Sequence, residues 1–491
     1  MTPVRAMLRP EIAGREGRMD QSAPVEQSGP RHVPFRTLTL WLLTVGGGAL
    51  AAVLLRLRDG VDPDLWLHLR LGEQLRAGER FQRLPDPLVV LADRPYSPTQ
   101  WLAEVGMSVV HQVSGVAGIH VLRALALVAL LALLQLTGAV YTTPVRAAAI
   151  ALPALVATAA QWGERPQLVG LVLLAAVTWL WSRARRDATV PWVVIPLTWV
   201  WAMLHGSWLL GVGTGGLFVV AMLLEEPRRV RPWARLVAVL AGSLAVAGLT
   251  PLGPPLLLEP FAVAAATRGR VNEWAAPGLT NPLVIVVLLM ALTVLVRSVR
   301  HLRASLPELL LATAGVALST TAVRTIGFGA VLLVPALAAA FARDLPAGAP
   351  RERLSPWPLV VTGALLLAVP GVVVGAPSSG PLPRSVDAAI PQLPAGAVVA
   401  VEPAASGWVL WDHPGVRPVH DLRTEVYSDA VATAYESFYR AEPGWQAYAA
   451  EHDITALVLE DGSALDRAVR AHAGWRQLAR EGHHVVWERD S

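Results

Sequence analysis

Long apolar runs recur along this sequence and constrain its fold more than any other feature. Runs of about 17–25 residues are typical of membrane-spanning helices, because only a helix satisfies its own backbone hydrogen bonds in lipid. With 54% hydrophobic and 16% charged residues, against about 25% charged in soluble domains, a soluble enzyme is excluded. We therefore predict a mainly α-helical, polytopic transmembrane bundle. Eleven spans are predicted, at 38–56, 119–140, 146–161, 167–182, 189–204, 207–224, 235–250, 281–297, 306–320, 324–342 and 357–375.

Arginines indicate how the bundle is oriented. Arginine clusters occur in every second loop, whereas the turns near 163–166, 204–207 and 320–323 are nearly free of them. Because cytoplasmic loops are enriched in basic residues, we predict that the N-terminus is cytoplasmic and that an odd number of spans leaves the C-terminus outside. The polar segment 1–37 is interpreted as a disordered cytoplasmic tail. A bacterial cytoplasmic (inner) membrane protein is expected.

Within the transmembrane domain at 38–375, the first outer loop is long and charged. It covers 57–118 and contains Trp, Tyr and His. Leucines at 65, 67, 69, 71 and 75, whose spacing is partly helical, predict a helix lying in the membrane interface, with these side chains in lipid.

The segment 376–491 has the composition of a water-soluble domain. It opens with a Pro/Gly/Ser linker, and helical patterns at about 427–450 and 463–473 lie between strand-like runs. Alternating strands and helices predict a small extracytoplasmic α/β domain. No nucleotide cofactor is expected, because no glycine-rich phosphate loop follows a strand. The strand-like runs are 397–401, 407–411, 454–459 and 484–487.

Polar residues beside membrane spans are costly and are therefore candidates for function. The strongest cluster follows the first span and contains Asp62, Asp64, Trp66 and His68. Two carboxylates near an imidazole could bind a divalent cation or act as a general base. Alternatively, Asp62 or Asp64 caps the helix that follows.

Further polar residues are predicted on the same side of the membrane. Each could be a snorkelling or helix-end residue when taken alone, but their shared side favours one site. Carboxylates beside arginines suit a substrate with a hydroxyl to be deprotonated and an anionic leaving group, such as a lipid-phosphate-linked sugar. These residues are Trp101, Glu104, Arg165, Gln167, His205, Arg268, Arg270, Glu273, Trp274 and Arg324.

An ordered series of short motifs runs through most of the chain from about residue 38. The series resembles bacterial multi-pass membrane proteins of the GT-C glycosyltransferase superfamily. The C-terminal string GVRPVHDLRTEVYS also resembles the extracytoplasmic domain of that group. The motifs are DPDLWLHL followed by GE, then PDP, SPT, WLAE, RPQL, HGS, NEW and RTIGF.

The resemblance implies a membrane glycosyltransferase that uses a polyprenyl-phosphate sugar and needs an acidic residue just after the first span. That residue falls on Asp64, or on Asp62 if the register differs. By the same resemblance, Glu104 and Glu273 are acidic groups near the acceptor or a metal, and Arg165 and Arg324 are phosphate partners. His68, Trp101, Gln167 and His205 complete the substrate-binding set.

The same pattern leaves the metal requirement open. A divalent cation fits the acidic pattern, but Glu164 stands alone in the next outer turn. The sequence therefore predicts acidic groups at the site without deciding whether they hold a metal ion.

The function expected is inverting sugar transfer to a glycan, lipid or protein acceptor of the cell envelope, with Asp64 as general base. This requires Asp64 to lie within about 12 Å of at least one of Arg165, His205 and Arg324. The alternatives are a transporter or flippase of lipid-linked precursors and a non-catalytic relative that binds the envelope. Membrane lipid is an expected partner and nucleic acid is not.

Residues of the C-terminal segment are given structural interpretations. Asp421, Arg423, Glu425 and Tyr427 are interpreted as local turn and salt-bridge residues, although contact with an acceptor glycan is an alternative. The tryptophans of this segment are interpreted as domain core rather than as sugar-stacking platforms. They are Trp408, Trp411, Trp445 and Trp475.

Overall fold

The computed structural model describes most of the chain in six stretches. Residues 1–34 of the predicted tail and residues 376–379 of the predicted linker lie outside them. The described stretches are 35–56, 61–225, 233–300, 306–344, 355–368 and 380–490.

The first part of the chain is almost entirely helical. Short 3₁₀ turns separate several of its helices, at Ala159–Gln161, Pro254–Leu257, Asn272–Trp274 and Val323–Thr325. The helices are α1 (Phe35–Arg56), α2 (Asp64–Arg76), α3 (Trp101–Tyr141), α4 (Pro144–Ala157), α5 (Pro166–Asp187), α6 (Val194–Leu204), α7 (Trp208–Glu225), α8 (Trp233–Ala247), α9 (Glu259–Thr267), α10 (Pro282–Arg300), α11 (Leu306–Thr321), α12 (Ile326–Ala342) and α13 (Trp357–Ala368).

Five helical segments are long and apolar enough to cross a membrane: α1, α3, α5, α10 and α12 with the turn before it. The other predicted spans coincide with the shorter apolar helices α4, α6, α7, α8, α11 and α13. The polytopic bundle is thus confirmed, while the count of eleven spans stays a prediction.

Two helices position the outer face of the bundle. In α3 the backbone turns at Gly115, whose φ of 62° favours glycine, so residues before it belong to the outer loop and those after it to the bundle. At the centre lies α12, which is buried along most of its length against α3, α4, α5, α10 and α11. Because α12 begins directly after Val323–Thr325, this turn is held firmly in place.

The helix α2 forms as predicted, but its apolar face does not point into lipid. Leu65, Leu67, Leu69 and Leu71 are buried in two clusters shared with the C-terminal segment. Leu65 and Leu69 lie on one side of the helix and Leu67 and Leu71 on another, and protein rather than lipid covers both sides. At Gly72 an added Cβ would lie 2.1 Å from the Glu104 carbonyl oxygen, so α2 can lie directly against α3.

The C-terminal segment contains the predicted mixed sheet and helices. Its strand order is β2-β1-β3-β5-β4, with β2, β1 and β3 parallel and with β5 antiparallel to both β3 and β4. The strands are β1 (Val398–Val401), β2 (Arg417–Pro418), β3 (Ile454–Glu460), β4 (Trp475–Glu481) and β5 (His484–Arg489). The helices are α14 (Arg384–Ala389), α15 (Pro403–Asp412), α16 (Asp429–Tyr439), α17 (Trp445–Glu451) and α18 (Ala464–Arg470), with 3₁₀ turns at Ile390–Gln392 and Thr424–Val426.

One predicted strand is wrong. Residues 407–411 belong to α15, which starts at Pro403 directly after β1; proline favours the first turn of a helix. Most of this run is buried, and it packs against α2. A short buried apolar run lacks the alternation that separates strand from helix.

The first outer loop and the C-terminal domain are joined by hydrogen bonds. Val90 and Leu91 donate their backbone N–H groups to the carbonyls of Pro418 and Val419, beside β2. Further along, the N–H groups of residues 93 and 94 donate to the carbonyl of Val426. These bonds hold the turn Thr424–Val426, which also packs against α9 of the membrane bundle.

Candidate functional site

Arg165 lies at the centre of three carboxylates at one end of the bundle, the end that the sequence predicts to face outward. Its Nε is 2.8 and 2.7 Å from the two oxygens of Asp62, and its Nη1 is 3.0 Å from Oδ2 of Asp64. The same Nη1 donates to both oxygens of Glu273, at 3.0 and 3.1 Å. Three segments far apart in sequence therefore meet here: the start of α2, the residue before α5, and the turn Asn272–Trp274.

The two aspartates have different environments. The side chain of Asp62 is only 5% exposed, and its Oδ1 accepts the backbone N–H of Asp64 at 3.1 Å. Asp62 therefore satisfies one free backbone N–H at the start of α2. Asp64 is 26% exposed and is bound by Arg165 through one oxygen. Asp64 is therefore the carboxylate that an incoming group can reach. The distance requirement for the enzyme hypothesis is met through Arg165.

The pKa of the Asp64 carboxyl lies above its usual range. Burial is the main cause, and the negative charges of Asp62 and Glu273 add to it, while Arg165 and His68 oppose it. A raised pKa makes a carboxylate a better proton acceptor near neutral pH. The electrostatics thus favour Asp64 over Asp62 as the candidate base.

Glu164 is a buried anchor for this cluster. It pairs with Arg123, lies 3.3 Å from Nε2 of His120, and accepts the backbone N–H of Asp62 at 3.3 Å. Burial acts to raise the pKa of Glu164, but the hydrogen bond from His120 and the charge of Arg123 lower it to about 2. Glu164 therefore stands alone only in the sequence; in space it fixes the start of α2.

We expect Glu164→Gln to destabilise the protein by about 3 kcal/mol, since it removes one partner of a buried ion pair. Thermal unfolding of the purified protein measures this. The folded pKa is about 2 against an ordinary 4.5, so the Glu164 contribution is present above pH 4.5 and is lost as pH falls toward 2. The difference in melting temperature should therefore be smaller at about pH 3.5 than at pH 7. A constant difference contradicts this reading, and Glu436→Gln, in an exposed pair, is the control.

Arg324 is the second cation of the site and has different contacts. Its guanidinium lies over the Trp274 ring, 4.5 Å from the centroid, and its backbone carbonyl accepts a hydrogen bond from Gln167 at 3.0 Å. Within the described residues no carboxylate forms an ion pair with it, although the charges of Glu273, Asp64 and Glu425 act on it. Arg324 therefore keeps hydrogen-bond donors for a ligand, whereas Nε and Nη1 of Arg165 are engaged by carboxylates.

His205 supplies a neutral imidazole. Its Nδ1 accepts the backbone N–H of Ser207 at 3.1 Å, which leaves the proton on Nε2 in the neutral ring. Burial, with the positive charges of Arg324 and His68, lowers the pKa of His205 to about 3. His205 is therefore a donor that adds no charge at neutral pH.

The remaining predicted site residues lie on α2 and α3. His68 Nδ1 is 3.2 Å from Oε1 of the fully buried Glu104, and the Tyr96 hydroxyl is 3.5 Å from the same oxygen. The structure brings His68 toward Asp64, on whose pKa its charge acts. It places Glu104 behind His68 rather than beside Arg165. Trp101 begins α3, and its buried indole N–H makes no hydrogen bond within the described residues.

The polar string of the C-terminal domain divides into two kinds of residue. Arg423 is buried and binds Asp421 and Asp86, and the Tyr427 hydroxyl donates to Asp421 at 3.0 Å. These contacts support the structural interpretation of the string. They also tie the C-terminal domain to the first outer loop.

Glu425 differs from its neighbours in the string. Its carboxylate has no hydrogen bond or ion pair to another side chain in the described part of the chain, and its charge reaches Arg324. Burial raises its pKa, with Arg423 opposing. The sequence gives no sign of this, because nothing along the chain distinguishes Glu425 from the paired residues around it.

The tryptophans of the domain lie in or against its core. Trp408 and Trp445 are buried, while Trp411 and Trp475 are partly buried against the same clusters. Trp408 also packs edge-on against Trp66 of α2, with ring centroids 4.6 Å apart. The core interpretation therefore accounts for all four side chains.

The three carboxylates around Arg165 do not fit a divalent cation as they stand. Mg²⁺ and Ca²⁺ need carboxylate oxygens at about 2.0–2.6 Å from the ion, whereas oxygens of Asp62, Asp64 and Glu273 are directed at the guanidinium. Among the described residues, the spacing of a metal site occurs in one group in the C-terminal domain, Asp387, Asp412 and His413. There Asp387 Oδ1 already accepts from Trp408 and lies 2.8 Å from His413 Nε2.

A small cavity of about 30 Å³ opens beside Arg165. It has room for little more than a water molecule, so a sugar or phosphate needs side chains of this cluster to move. A larger cavity of about 260 Å³ lies between α17 and β4 and has no residue in common with the cluster. The small cavity is lined by Asp62, Ala160, Gln161, Gly163, Arg165, Gln167 and Glu273.

Comparisons with known proteins identify the fold. No protein-family model and no curated protein matches the chain. One similar solved structure is the archaeal oligosaccharyltransferase AglB from Archaeoglobus fulgidus in complex with an inhibitory peptide and a dolichol-phosphate. Its TM-score is 0.57 at 14% identity, and the match covers 92% of this chain and 74% of that one.

A second similar structure is ArnT from Cupriavidus metallidurans bound to undecaprenyl phosphate. Its TM-score is 0.51 at 16% identity, and the match covers 91% of this chain and 97% of that one. The chain therefore shares the fold of these two structures, which agrees with the fold that the resemblance in the sequence implies. Because less than a tenth of the chain is left out, each match includes part of the C-terminal domain as well as the bundle.

Proposed function

We propose that this chain, which has the fold of the GT-C glycosyltransferases, transfers a sugar from a polyprenyl-phosphate donor to an acceptor in the cell envelope. The observation that carries the proposal is the meeting of Asp64, a reachable carboxylate with a raised pKa, with Arg165 and Arg324 at the ends of membrane helices. Two proteins of the same fold are solved with dolichol-phosphate and undecaprenyl phosphate. We propose the outer face of the bacterial cytoplasmic membrane as the place of the reaction, and the arginine pattern of the loops supports this.

Asp64 is the proton acceptor in this proposal. Its carboxylate takes the proton of the acceptor hydroxyl while the hydroxyl oxygen attacks the anomeric carbon of the donor sugar. The bond between that carbon and the phosphate oxygen breaks, and polyprenyl phosphate leaves with the electron pair. A single displacement of this kind inverts the anomeric configuration.

The phosphate is assigned to Arg324, and this changes the role expected of Arg165. Nε and Nη1 of Arg165 are engaged by Asp62, Asp64 and Glu273, and these carboxylates would repel a phosphate there. Arg324 makes no such ion pair within the described residues and rests on Trp274. We therefore propose that Arg165 positions Asp64 and that Arg324 stabilises the negative charge of the leaving phosphate.

The neutral residues around Arg324 support the same assignment. Gln167 fixes the backbone of Arg324 from α5. His205 offers an Nε2 proton to a phosphate or sugar oxygen without adding charge. His68, held by Glu104, lies near both Asp64 and His205, since its charge acts on the pKa of each.

Glu425 is proposed to contact the acceptor. It is the carboxylate that the C-terminal domain directs toward the Arg324 side of the site, in the turn that packs on α9. Glu425→Gln should raise the KM for the acceptor about tenfold and leave donor hydrolysis unchanged, since one charge-assisted hydrogen bond is lost. Steady-state kinetics with varied acceptor measures this, with Glu436→Gln on the exposed face of α16 as control. A change in donor KM instead would place Glu425 on the donor.

The proposed function is tested by incubating the purified protein with a panel of polyprenyl-phosphate sugars. Transfer to an added acceptor, or release of free polyprenyl phosphate, supports it. Movement of an intact donor across proteoliposomes without its consumption identifies a flippase instead. Binding of envelope glycans with neither reaction identifies a non-catalytic protein.

A further inference from the structure

We infer that the guanidinium of Arg165 takes the position that a divalent cation would occupy among Asp62, Asp64 and Glu273, and that sugar transfer proceeds without a bound metal ion. The second part of this inference rests on the proposed function. The first part concerns the geometry of the site and can be tested whether or not the chain is a transferase.

Carboxylate oxygens from three segments converge on the Arg165 guanidinium. Arg165 meets five carboxylate oxygens, two on Asp62, one on Asp64 and two on Glu273, all within 2.7–3.1 Å. Oxygen ligands from separate segments that converge on one point are what a hard cation requires. Here the point of convergence is filled by a side chain of the protein.

The charges of the three carboxylates and of Arg165 also favour this arrangement. Three carboxylates repel one another, and a +1 guanidinium with several donors can bridge them. Burial acts to lower the pKa of Arg165, but the charges of Asp64, Asp62 and Glu273 raise it above the ordinary value, so the guanidinium stays charged. A divalent cation added beside Arg165 would be repelled, and one that replaced it would have to break all three pairs.

The backbone on either side of the Arg165 cluster is anchored. Arg165 precedes Pro166 at the start of α5, and Glu164, its neighbour in sequence, is held by Arg123 and accepts the N–H of Asp62. The backbone on both sides of the ion cluster is therefore anchored. With the backbone held, moving the guanidinium aside for a metal ion would break its pairs with all three carboxylates.

The test uses Mn²⁺ binding, followed by the loss of the free Mn²⁺ signal in electron paramagnetic resonance. Arg165→Met removes the charge and keeps a long side chain, so it should create a three-carboxylate cation site. We expect the wild type to bind no Mn²⁺ that depends on Asp64. We expect Arg165→Met to gain one bound Mn²⁺ that disappears when Asp64→Asn is added. Arg165→Lys, which keeps the charge, should behave as the wild type.

Any Mn²⁺ bound by Asp387, Asp412 and His413 is the same with and without Asp64→Asn, so it cancels when the paired variants are compared. Two results would overturn the inference: loss of a bound Mn²⁺ on changing the wild type to Asp64→Asn, or a folded Arg165→Met protein that gains no Asp64-dependent Mn²⁺. If Arg165→Met does not fold, the wild type and Asp64→Asn still decide the first of these.

Activity gives a separate readout. With an active donor from the panel, transfer by the wild type should change less than twofold after EDTA treatment. Loss of transfer in EDTA and its recovery with Mn²⁺ would overturn metal independence. If no donor is consumed, the proposed function fails, while the Mn²⁺ comparison still decides whether Arg165 fills the cation position.

Discussion

Asp64→Asn should lower sugar transfer by about 10²–10⁴-fold, the range expected for loss of a general base. The amide keeps the size of the side chain but cannot take the proton of the acceptor hydroxyl. The protein should still fold, because Asp62, Glu273 and the Glu164 anchor remain in place. Transfer rates with saturating donor and acceptor measure the effect.

The control for this variant is Glu73→Gln. Glu73 lies on the same helix, is about half exposed, and pairs with Arg70 away from the site, so its loss should leave transfer within twofold of the wild type. Melting temperatures of the two variants separate a chemical defect from a structural one. Wild-type transfer by Asp64→Asn would contradict its role as base.

Arg324→Gln should lower kcat/KM for the donor by about 10²–10³-fold, because it removes the cation that faces the charge developing on the leaving phosphate. The loss should be larger in kcat than in KM, since that charge grows in the transition state. Arg324→Lys should recover part of the activity by keeping the charge without the planar donor set.

Arg268→Gln is the matched control for Arg324. Arg268 lies in the same outer region and is exposed, so removing it changes the net charge of the outer face by the same amount. Its donor kinetics should stay within twofold of the wild type. Equal losses in the two variants would mean that general surface charge, rather than Arg324, serves the donor.

Much of the site follows from the sequence because each residue comes directly before or after an apolar run. Asp64, Arg165, His205 and Arg324 flank helices whose ends must lie near the membrane surface, so their shared side is predictable from the order of the spans. The resemblance to GT-C proteins adds the first acidic residue. Placing a residue at one surface does not settle which partner it has there.

The different roles of Arg165 and Arg324 depend on which carboxylates lie beside each of them in the folded structure. In the sequence, Arg165 and Arg324 look equivalent, because each is a cation at the predicted outer end of a membrane span. In space Arg165 is engaged by residues about a hundred positions away, such as Asp62 and Glu273, while Arg324 is not. Residue type and spacing cannot show which carboxylates converge on which arginine.

The apolar face of α2 shows a similar gap. Periodicity reveals that Leu65 and Leu69 are covered, but lipid and protein produce the same pattern. The structure shows that the C-terminal domain covers them, which ties that domain to the start of α2. We therefore expect the C-terminal domain to influence Asp64 through this contact, in addition to any contact that Glu425 makes with the acceptor.

The most direct test of the central claim is release of free polyprenyl phosphate from a labelled polyprenyl-phosphate sugar by the wild type and Asp64→Asn proteins, purified in parallel. The account predicts acceptor-dependent release by the wild type, with the sugar linked to the acceptor in inverted configuration, and release at least about 10²-fold slower by Asp64→Asn. Equal release by both proteins, or none by the wild type with any donor of the panel, would contradict it.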